Sequence, residues 1–302
     1  MAHSGALVSS DGTVPLPRWR DWWRSTPGGA AWLRQLPRLV EGCSAGWDLT
    51  VGHPFESGSV HWVAPAELPD GTRAVLKVQF PDAGSEHEPE ALTWWGGEGA
   101  VRLLAHDPGR RSLLIERCVP GVPIRNVQGE AAEYAIAAEV LRRLWKPATC
   151  ETPFATLEAE AQRWAEELPR RWARHGRPFS RLLLDEAAAL CRELGGSLPE
   201  LVICHQDFHG GNVLSADRDR WLAVDPKPLV GEPALDLALL LRDGPPRAAH
   251  TVRHRLDMLS SELGVDRARA RGWGIVHALV CGLTDDGTYP DFVAAAQLIA
   301  SA

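Results

Sequence analysis

Residues 201–227 read LVICHQDFHGGNVLSADRDRWLAVDPK. An apolar run at 201–204 leads into a polar cluster, and two glycines turn the chain just before Asn212. A second apolar run, a turn rich in Asp and Arg, and a third apolar run then lead to Asp225. Short apolar runs separated by turn-forming residues predict strand, loop, strand, tight turn and strand. We therefore expect Asp207, Asn212 and Asp225 to lie near the mouth of one hairpin.

These three polar residues carry the oxygen chemistry that phosphoryl transfer requires. A carboxylate at Asp207 can orient an acceptor hydroxyl and take its proton, while Asn212 and Asp225 can ligate Mg²⁺ through oxygen. The spacing H-x-D-x-x-x-x-N, followed by an Asp after a strand, is the pattern of a kinase catalytic loop with its metal-binding Asp. Each residue alone would more simply be a turn former or a strand-end carboxylate. Their combination predicts phosphoryl transfer from a nucleotide with Mg²⁺ as cofactor.

The segments HQDFHGGNVL at 205–214 and LAVDPKPLVGEPALDLALLLRDG at 222–244 resemble the aminoglycoside phosphotransferases. The portion DPKPLVGEPALDL looks most like the branch that contains streptomycin 6-kinases and hydroxyurea phosphotransferases. The resemblance implies an α+β, bilobal protein-kinase-like fold, with a small β-rich nucleotide lobe and a larger, mostly helical lobe. It also implies that Asp207 is catalytic, that Asn212 and Asp225 bind the metal, and that Asp236 braces the catalytic loop.

A kinase-like fold predicts a strand lysine and a helix carboxylate upstream of this segment. Lys77 lies within the apolar run AVLKV at 74–78, which predicts a strand. Pro89 suits the first turn of the following helix, where acidic residues complement the helix dipole. By resemblance, Lys77 contacts the α- and β-phosphates and pairs with Glu88, with Glu90 as the alternative partner. An acidic helix start without a catalytic role is the simpler interpretation.

Two further segments resemble nucleotide contacts. A short loop that resembles a nucleotide-covering turn comprises Ser57, Gly58 and Ser59. It contains a single glycine, so an ordinary hairpin turn is the alternative. The run LLIERC at 113–118 resembles the strand and hinge between kinase lobes. That resemblance implies that backbone groups of Glu116 and Cys118 hold adenine.

The roles of several other charged residues stay open in the sequence. Lys227, two residues after Asp225, could help to neutralise the transferred phosphoryl group, or it could form a structural ion pair. A cationic acceptor would need carboxylates, because charge-assisted pairs supply both orientation and affinity. The candidate carboxylates are Asp243, Asp285 and Asp286. A solvated surface loop is the simpler interpretation of these residues.

The resemblance implies that the chain divides at the hinge, near Cys118. We expect residues 1–118 to form an N-terminal nucleotide-binding lobe with a leading helical segment. Residues 119–302 should form a C-terminal lobe for catalysis and acceptor binding. Helical spacing of apolar residues recurs from about residue 130 onward. Pro169 predicts the end of one of these helices, because proline removes a helix hydrogen bond.

Composition and net charge favour some classes of protein over others. With 302 residues, 24% charged residues and a net charge of −7, the chain favours a globular enzyme over a nonspecific nucleic-acid binder. The charge is compatible with a cationic small-molecule partner. Six scattered cysteines without a C-x-x-C pair indicate thiols in a reducing compartment. No apolar run has the length of a membrane span, and no signal peptide is evident, so we expect a cytoplasmic protein without a membrane partner.

The resemblance implies an ATP-dependent phosphotransferase that acts on a hydroxyl of an aminoglycoside. Streptomycin, phosphorylated at the 6-position with resistance as the result, is the leading expectation. Hydroxyurea or another small alcohol is the alternative acceptor, and a kinase fold that binds nucleotide without turnover is an alternative function. A third alternative is a metallohydrolase with zinc on His205, Asp207, His209 and Asp225. That alternative lacks a strong zinc spacing and leaves Lys77 and Glu88 unexplained.

Overall fold

The computed structural model describes residues 13–18, 21–56, 60–82, 84–148, 152–242 and 249–302. Contacts along the chain separate two compact units. Unit 1 comprises residues 1–97 and 101–121, and unit 2 comprises residues 98–100 and 122–302. This division follows Gly121, whereas the sequence placed a boundary after Cys118.

Unit 1 is built on a five-stranded antiparallel sheet with the strand order β1-β2-β3-β5-β4. The strands are β1 (Thr50–Val51), β2 (Trp62–Glu67), β3 (Arg73–Val78), β4 (Leu103–Asp107) and β5 (Ser112–Glu116). Central β3 is buried along nearly its whole length, which explains why its sequence is apolar without alternation. The strand predicted around Lys77 is confirmed.

The described residues of unit 1 form three α-helices beside the sheet: α1 (Asp21–Ser25), α2 (Gly29–Gly46) and α3 (Glu88–Trp95). Helix α2 buries Trp32, Leu36 and Val40, which recur every four residues and so share one side of the helix. Helix α3 carries Pro89 in its first turn, as predicted. Proline fits there because the N–H it lacks would have no partner within the helix.

Unit 2 is mostly helical, as predicted. Its helices are α4 (Glu130–Leu144), α5 (Leu157–Arg174), α6 (Arg181–Gly195), α7 (Pro233–Arg242), α8 (Ala249–Leu263), α9 (Arg267–Gly282) and α10 (Pro290–Ala300). Helix α9 is buried on most of its circumference and packs against α6, α7 and α10. Residues 272–279 are all buried, so this part of the helix can be apolar on nearly every side, whereas Ala268 in the first turn is exposed.

Pro169 lies inside α5, so the prediction that a helix ends there is wrong. A proline within a helix costs about 3 kcal/mol, because one backbone hydrogen bond is lost and the ring crowds the preceding turn. Leu168 and Trp172 are both buried on either side of it, and the Trp172 indole donates to the Phe179 carbonyl at 3.0 Å. Each buried side chain contributes roughly 1.5–3 kcal/mol. Burial on both sides of Pro169 therefore keeps the helix continuous.

In the part of unit 2 that the structure describes, four short strands interrupt the helices: β6 (Val202–Cys204), β7 (Val213–Ser215), β8 (Trp221–Ala223) and β9 (Leu229–Gly231). Strands β7 and β8 form an antiparallel hairpin, while β6 pairs with β9. The order of strand, loop, strand, turn and strand predicted for 201–227 is confirmed. Strand β9 was not predicted, because three residues after a proline-containing turn carry no usable pattern.

The described residues also bear on the environment of the chain. Cys43, Cys118, Cys191, Cys204 and Cys281 are free thiols. Burial raises the pKa of the Cys191 thiol to about 12, so that thiol is unreactive. Across these described ranges, no helix combines the length and apolar character needed to cross a bilayer.

Candidate active site

The loop between β6 and β7 presents the Asp207 carboxylate. Its backbone N–H donates to the His205 carbonyl at 2.8 Å, which forms a tight local turn. Its Oδ2 atom accepts from the Lys227 ammonium at 2.9 Å, and the Lys227 N–H donates to the His205 carbonyl at 3.0 Å. Within the described part of the chain, Oδ1 of Asp207 has no protein partner. One carboxylate oxygen is thus held by a lysine, and the other is left for a ligand.

Asp236 braces this loop from α7, as the resemblance implied. Its carboxylate accepts from the backbone N–H groups of His205 at 3.1 Å and Gln206 at 2.8 Å. The Trp145 indole donates to the same carboxylate at 3.0 Å. Burial raises the pKa of the Asp236 carboxyl, and these three donors oppose the rise. Gln206, whose N–H is held by Asp236, lies in the left-handed region at a φ of 59°, where few residues with a side chain are found.

His205 is a neutral structural residue beside the catalytic loop. Burial lowers the pKa of its imidazole to about 4. Its Nδ1 atom accepts from the Asp207 N–H at 3.3 Å, so Nε2 carries the proton and donates to the Val224 carbonyl at 3.1 Å. Both ring nitrogens are therefore used, and His205 ties the end of β8 to the backbone of Asp207.

Asn212 and Asp225 lie at the open end of the β7–β8 hairpin. The Val224 N–H donates to the Asn212 carbonyl at 2.9 Å, which brings the residues next to Asp225 alongside Asn212. The Asn212 amide nitrogen donates to the Asp207 carbonyl at 3.0 Å, so the amide oxygen is the atom left for a cation. A protein site for Mg²⁺ needs only one or two such oxygens, because phosphate and water complete the octahedron. The residues present fit that ion.

The zinc alternative is contradicted by the same geometry. Among the residues that the structure describes, no three His, Cys, Asp or Glu side chains come together to hold a metal ion. Zinc sites of hydrolases use three protein ligands. Both ring nitrogens of His205 form hydrogen bonds with backbone groups, and Nδ1 of His209 accepts from the Gly211 N–H at 3.0 Å. These three nitrogens are therefore already engaged.

Unit 1 holds a buried ion pair between Lys77 on β3 and Glu88 on α3. The Lys77 ammonium lies 2.6 Å from Oε2 of Glu88, and the two side chains are only 4% and 1% exposed. The Gln79 amide donates to the same Oε2 at 2.9 Å and to the Ser85 carbonyl at 2.9 Å. Glu90 is exposed instead, so the predicted pairing with Glu88 is confirmed. Gln79 was missed, although a residue two positions after Lys77 shares its side of the strand.

Glu116 and Cys118, two of the other residues predicted to contact the nucleotide, are described by the structure. Glu116 ends β5, and its carboxylate accepts from the Arg102 N–H at 3.0 Å. Cys118 is partly exposed in the segment that follows. The predicted covering turn of Ser57, Gly58 and Ser59 lies outside the described residues.

Two of the three candidate acceptor carboxylates, Asp285 and Asp286, lie in the described residues. Asp285 accepts from Arg174 at 2.8 Å and from Arg171 at 3.3 Å. The Arg174 hydrogen bond chiefly lowers the pKa of this carboxyl. Asp286 is exposed beside it, and Asp243 lies outside the described residues. A cationic ligand at Asp285 would have to compete with two guanidinium groups.

A buried lysine–glutamate pair on an antiparallel sheet, together with an Asp–Asn–Asp arrangement around a hairpin, defines a phosphotransferase of the protein-kinase-like class. Residues 48–286 match the model of the aminoglycoside/hydroxyurea antibiotic resistance kinases. The chain belongs to that family. The fold class and the family inferred from the sequence are thereby confirmed.

Similar proteins support both levels of the assignment. A streptomycin 6-kinase of Streptomyces glaucescens is 38% identical over 255 residues, 81% of this chain and 81% of that protein. A hydroxyurea phosphotransferase of Kitasatospora aureofaciens is 37% identical over 251 residues, 82% of this chain and 73% of that protein. The crystal structure of a choline kinase from Streptococcus pneumoniae shares the fold, with a TM-score of 0.62, 14% identity and coverage of 89% and 100% of the two chains.

Proposed function

We propose that this protein transfers the γ-phosphoryl group of ATP to the 6-hydroxyl of streptomycin and thereby confers resistance to the drug. The observation that carries the proposal is the Asp207 carboxylate, whose Oδ1 atom faces no protein partner among the described residues while Lys227 holds Oδ2. The similarity to streptomycin 6-kinase over most of the chain supports the choice of acceptor. Phosphorylation would add about −1.5 to −2 charge to a cationic drug.

Asp207 is the proposed catalytic residue. Its free Oδ1 atom would accept a hydrogen bond from the acceptor hydroxyl and then take the proton as the oxygen attacks phosphorus. Lys227 would keep the carboxylate in one orientation through Oδ2 and could also help to neutralise the transferred group. Positioning of this kind and electrostatic stabilisation are the main contributions a protein makes to phosphoryl transfer, because little covalent chemistry is needed.

The proposed phosphate and metal contacts of the donor nucleotide follow the resemblance. Lys77, fixed by Glu88 and Gln79, would contact the α- and β-phosphates. Asn212 and Asp225 would hold Mg²⁺, which when bound would supply positive charge that stabilises the phosphates.

The remaining contacts of the donor and the acceptor are assigned by resemblance. Backbone groups of Glu116 and Cys118 would hold adenine. The turn that would cover the phosphates comprises Ser57, Gly58 and Ser59. The carboxylates proposed for the cationic groups of the acceptor are Asp243, Asp285 and Asp286. A cytoplasmic location would supply ATP and keep the free cysteines reduced.

Hydroxyurea is the second candidate acceptor. It is supported by the similarity to the hydroxyurea phosphotransferase, which is 37% identical to this chain, whereas the streptomycin 6-kinase is 38% identical. So small a difference does not select the acceptor, since a few side chains in a pocket decide which molecule binds. Another small alcohol would use the same catalytic groups.

The test is ADP release from Mg-ATP with streptomycin, other aminoglycosides, hydroxyurea or no acceptor, followed by mass and NMR analysis of the product. Streptomycin-dependent ADP with phosphate on the 6-oxygen is the expected result. Turnover with hydroxyurea alone would replace the acceptor and keep the mechanism. Failure of the purified protein to bind Mg-ATP would overturn the proposal itself.

A further inference from the structure

The segment that opens unit 2 is fixed against the catalytic hairpin. The Ser215 N–H, at the end of β7, donates to the Val122 carbonyl at 2.9 Å, and the Val122 N–H donates to the Ser215 hydroxyl at 2.9 Å. Three residues later, the Arg125 N–H donates to the Gly210 carbonyl at 3.1 Å. Two attachment points set the backbone of Arg125 at a defined place beside the catalytic loop.

The Arg125 guanidinium approaches this loop closely at Gly211. A Cβ atom added to Gly211 would lie 2.9 Å from Nη1 of Arg125 and 2.8 Å from Cε1 of His209. Real Cβ atoms do not come that close to their neighbours, so any larger residue would push one of these groups away. The absence of a side chain at Gly211 thus lets a cation lie against the residue that precedes Asn212, a proposed metal ligand.

Arg125 has no counter-ion within the described part of the chain. Its side chain makes no hydrogen bond or ion pair there, and it is exposed. Two other arginines of unit 2 are paired: Arg255 binds Glu130 at 2.6 Å, and Arg269 binds Glu232 at 2.6 Å through two nitrogens. An exposed arginine alone would be unremarkable on a protein surface. An unpaired one with a fixed backbone, next to the catalytic loop, has a position suited to an anionic ligand.

We propose that Arg125 binds the phosphates of the nucleotide. This inference rests on the proposed function, since it assigns a further contact to the same ligand. A planar guanidinium presents paired donors that match phosphate oxygens. Fixed positive charge near the transferred group stabilises the charge that spreads over its oxygens. Arg125 would therefore add a cation on the side of the catalytic loop, independently of Lys77 in unit 1.

The test compares nucleotide binding by calorimetry in the wild-type chain and in three variants. Arg125→Gln should weaken binding of ATP and ADP by roughly tenfold, in line with a lost charge-assisted hydrogen bond at an exposed site. Binding of adenosine, which has no phosphate, should be unchanged. Arg125→Lys keeps the charge without the fork and should restore part of the affinity. The loss should shrink as salt is raised, because exposed charges are screened.

Arg220→Gln is the matched control. Arg220 is likewise exposed without a side-chain partner in the described residues, but it lies at the turn of the same hairpin, away from Asn212 and Asp225. Nucleotide binding should not change in this variant. Equal affinity of wild type and Arg125→Gln for ADP would overturn the inference, as would an equal loss for adenosine. If the wild type bound no nucleotide, the proposed function would fall, and the role of Arg125 with it.

Discussion

Each unit of this kinase contains one lysine paired with a carboxylate at a proposed functional position, and the two pairs differ in their surroundings. Lys77 and Glu88 in unit 1 are 4% and 1% exposed and are joined by the Gln79 amide. Lys227 and Asp207 in unit 2 are 46% and 20% exposed. The Lys77–Glu88 pair is buried, whereas the Lys227–Asp207 pair is accessible to solvent and to a ligand.

Because of this difference, Lys77 stays paired with its carboxylate, whereas Lys227 can exchange its carboxylate partner for water or a ligand. A buried pair loses hydration on both partners, so removal of one partner leaves an uncompensated charge and is strongly destabilising. An exposed pair contributes little to stability, because water and salt screen it. We therefore expect the buried pair to govern folding as well as nucleotide placement. The exposed pair should govern catalysis alone.

The largest effect should come from Asp207→Ala, which removes the catalytic member of the exposed pair. Turnover should fall by about 100- to 10,000-fold, the usual contribution of a positioned proton acceptor, while Mg-ATP binding is retained. Steady-state ADP release and calorimetry would measure the two quantities. Asp185→Ala, which removes an exposed carboxylate on α6, should leave both unchanged. Retention of substantial turnover in Asp207→Ala would remove Asp207 from its role.

Glu88→Gln should break the buried pair and leave the Lys77 charge without its carboxylate. We expect a loss of about 3–5 kcal/mol in the free energy of unfolding, because the ammonium stays buried. Urea denaturation would measure it. Glu90→Gln on the exposed side of the same helix turn should change stability by less than about 0.5 kcal/mol. Similar losses in the two variants would contradict the assignment of Glu88 as the partner.

His205, which holds the backbone of Asp207, should make the free energy of unfolding decrease at acidic pH. Its pKa is lowered by burial from 6.5 to about 4, so below pH 6.5 the unfolded chain takes up a proton that the folded chain does not. Stability present above pH 6.5 is therefore lost as the pH falls toward 4, by up to about 3 kcal/mol. Urea denaturation of the wild type and of His205→Asn between pH 4.5 and 7.5 would test this. The variant should show the smaller decline, and parallel curves would refute it.

The smallest effect on stability should come from Lys227→Gln. The free energy of unfolding should change by less than about 1 kcal/mol, because the pair is exposed. Turnover should nevertheless fall roughly 10- to 100-fold, because Asp207 loses the partner that orients it. Lys227→Arg should retain part of the activity. A large loss of stability without loss of turnover would mean that Lys227 serves structure instead.

Much of the catalytic site is local in sequence and could therefore be predicted. Asp207, Asn212 and Asp225 fall within 19 residues of one strand–loop–hairpin segment, whose apolar runs and turn residues specify its shape. Lys77 and Glu88 are 11 residues apart and were paired by the order of strand and helix. The resemblance to a known family supplied their roles.

Other features depended on contacts between distant parts of the chain. Pro169 favoured a helix end, and only the burial of Leu168 and Trp172 in the folded unit kept α5 continuous. The Trp145 indole donates to Asp236, which lies 91 positions further along the sequence. The Arg125 guanidinium lies close to Gly211 in the catalytic loop. The sequence by itself determined which side chains carry the chemistry, because their spacing follows local backbone geometry. Only the tertiary structure decided which charges are buried, paired or free, because burial and pairing are set by residues that the chain brings together from afar.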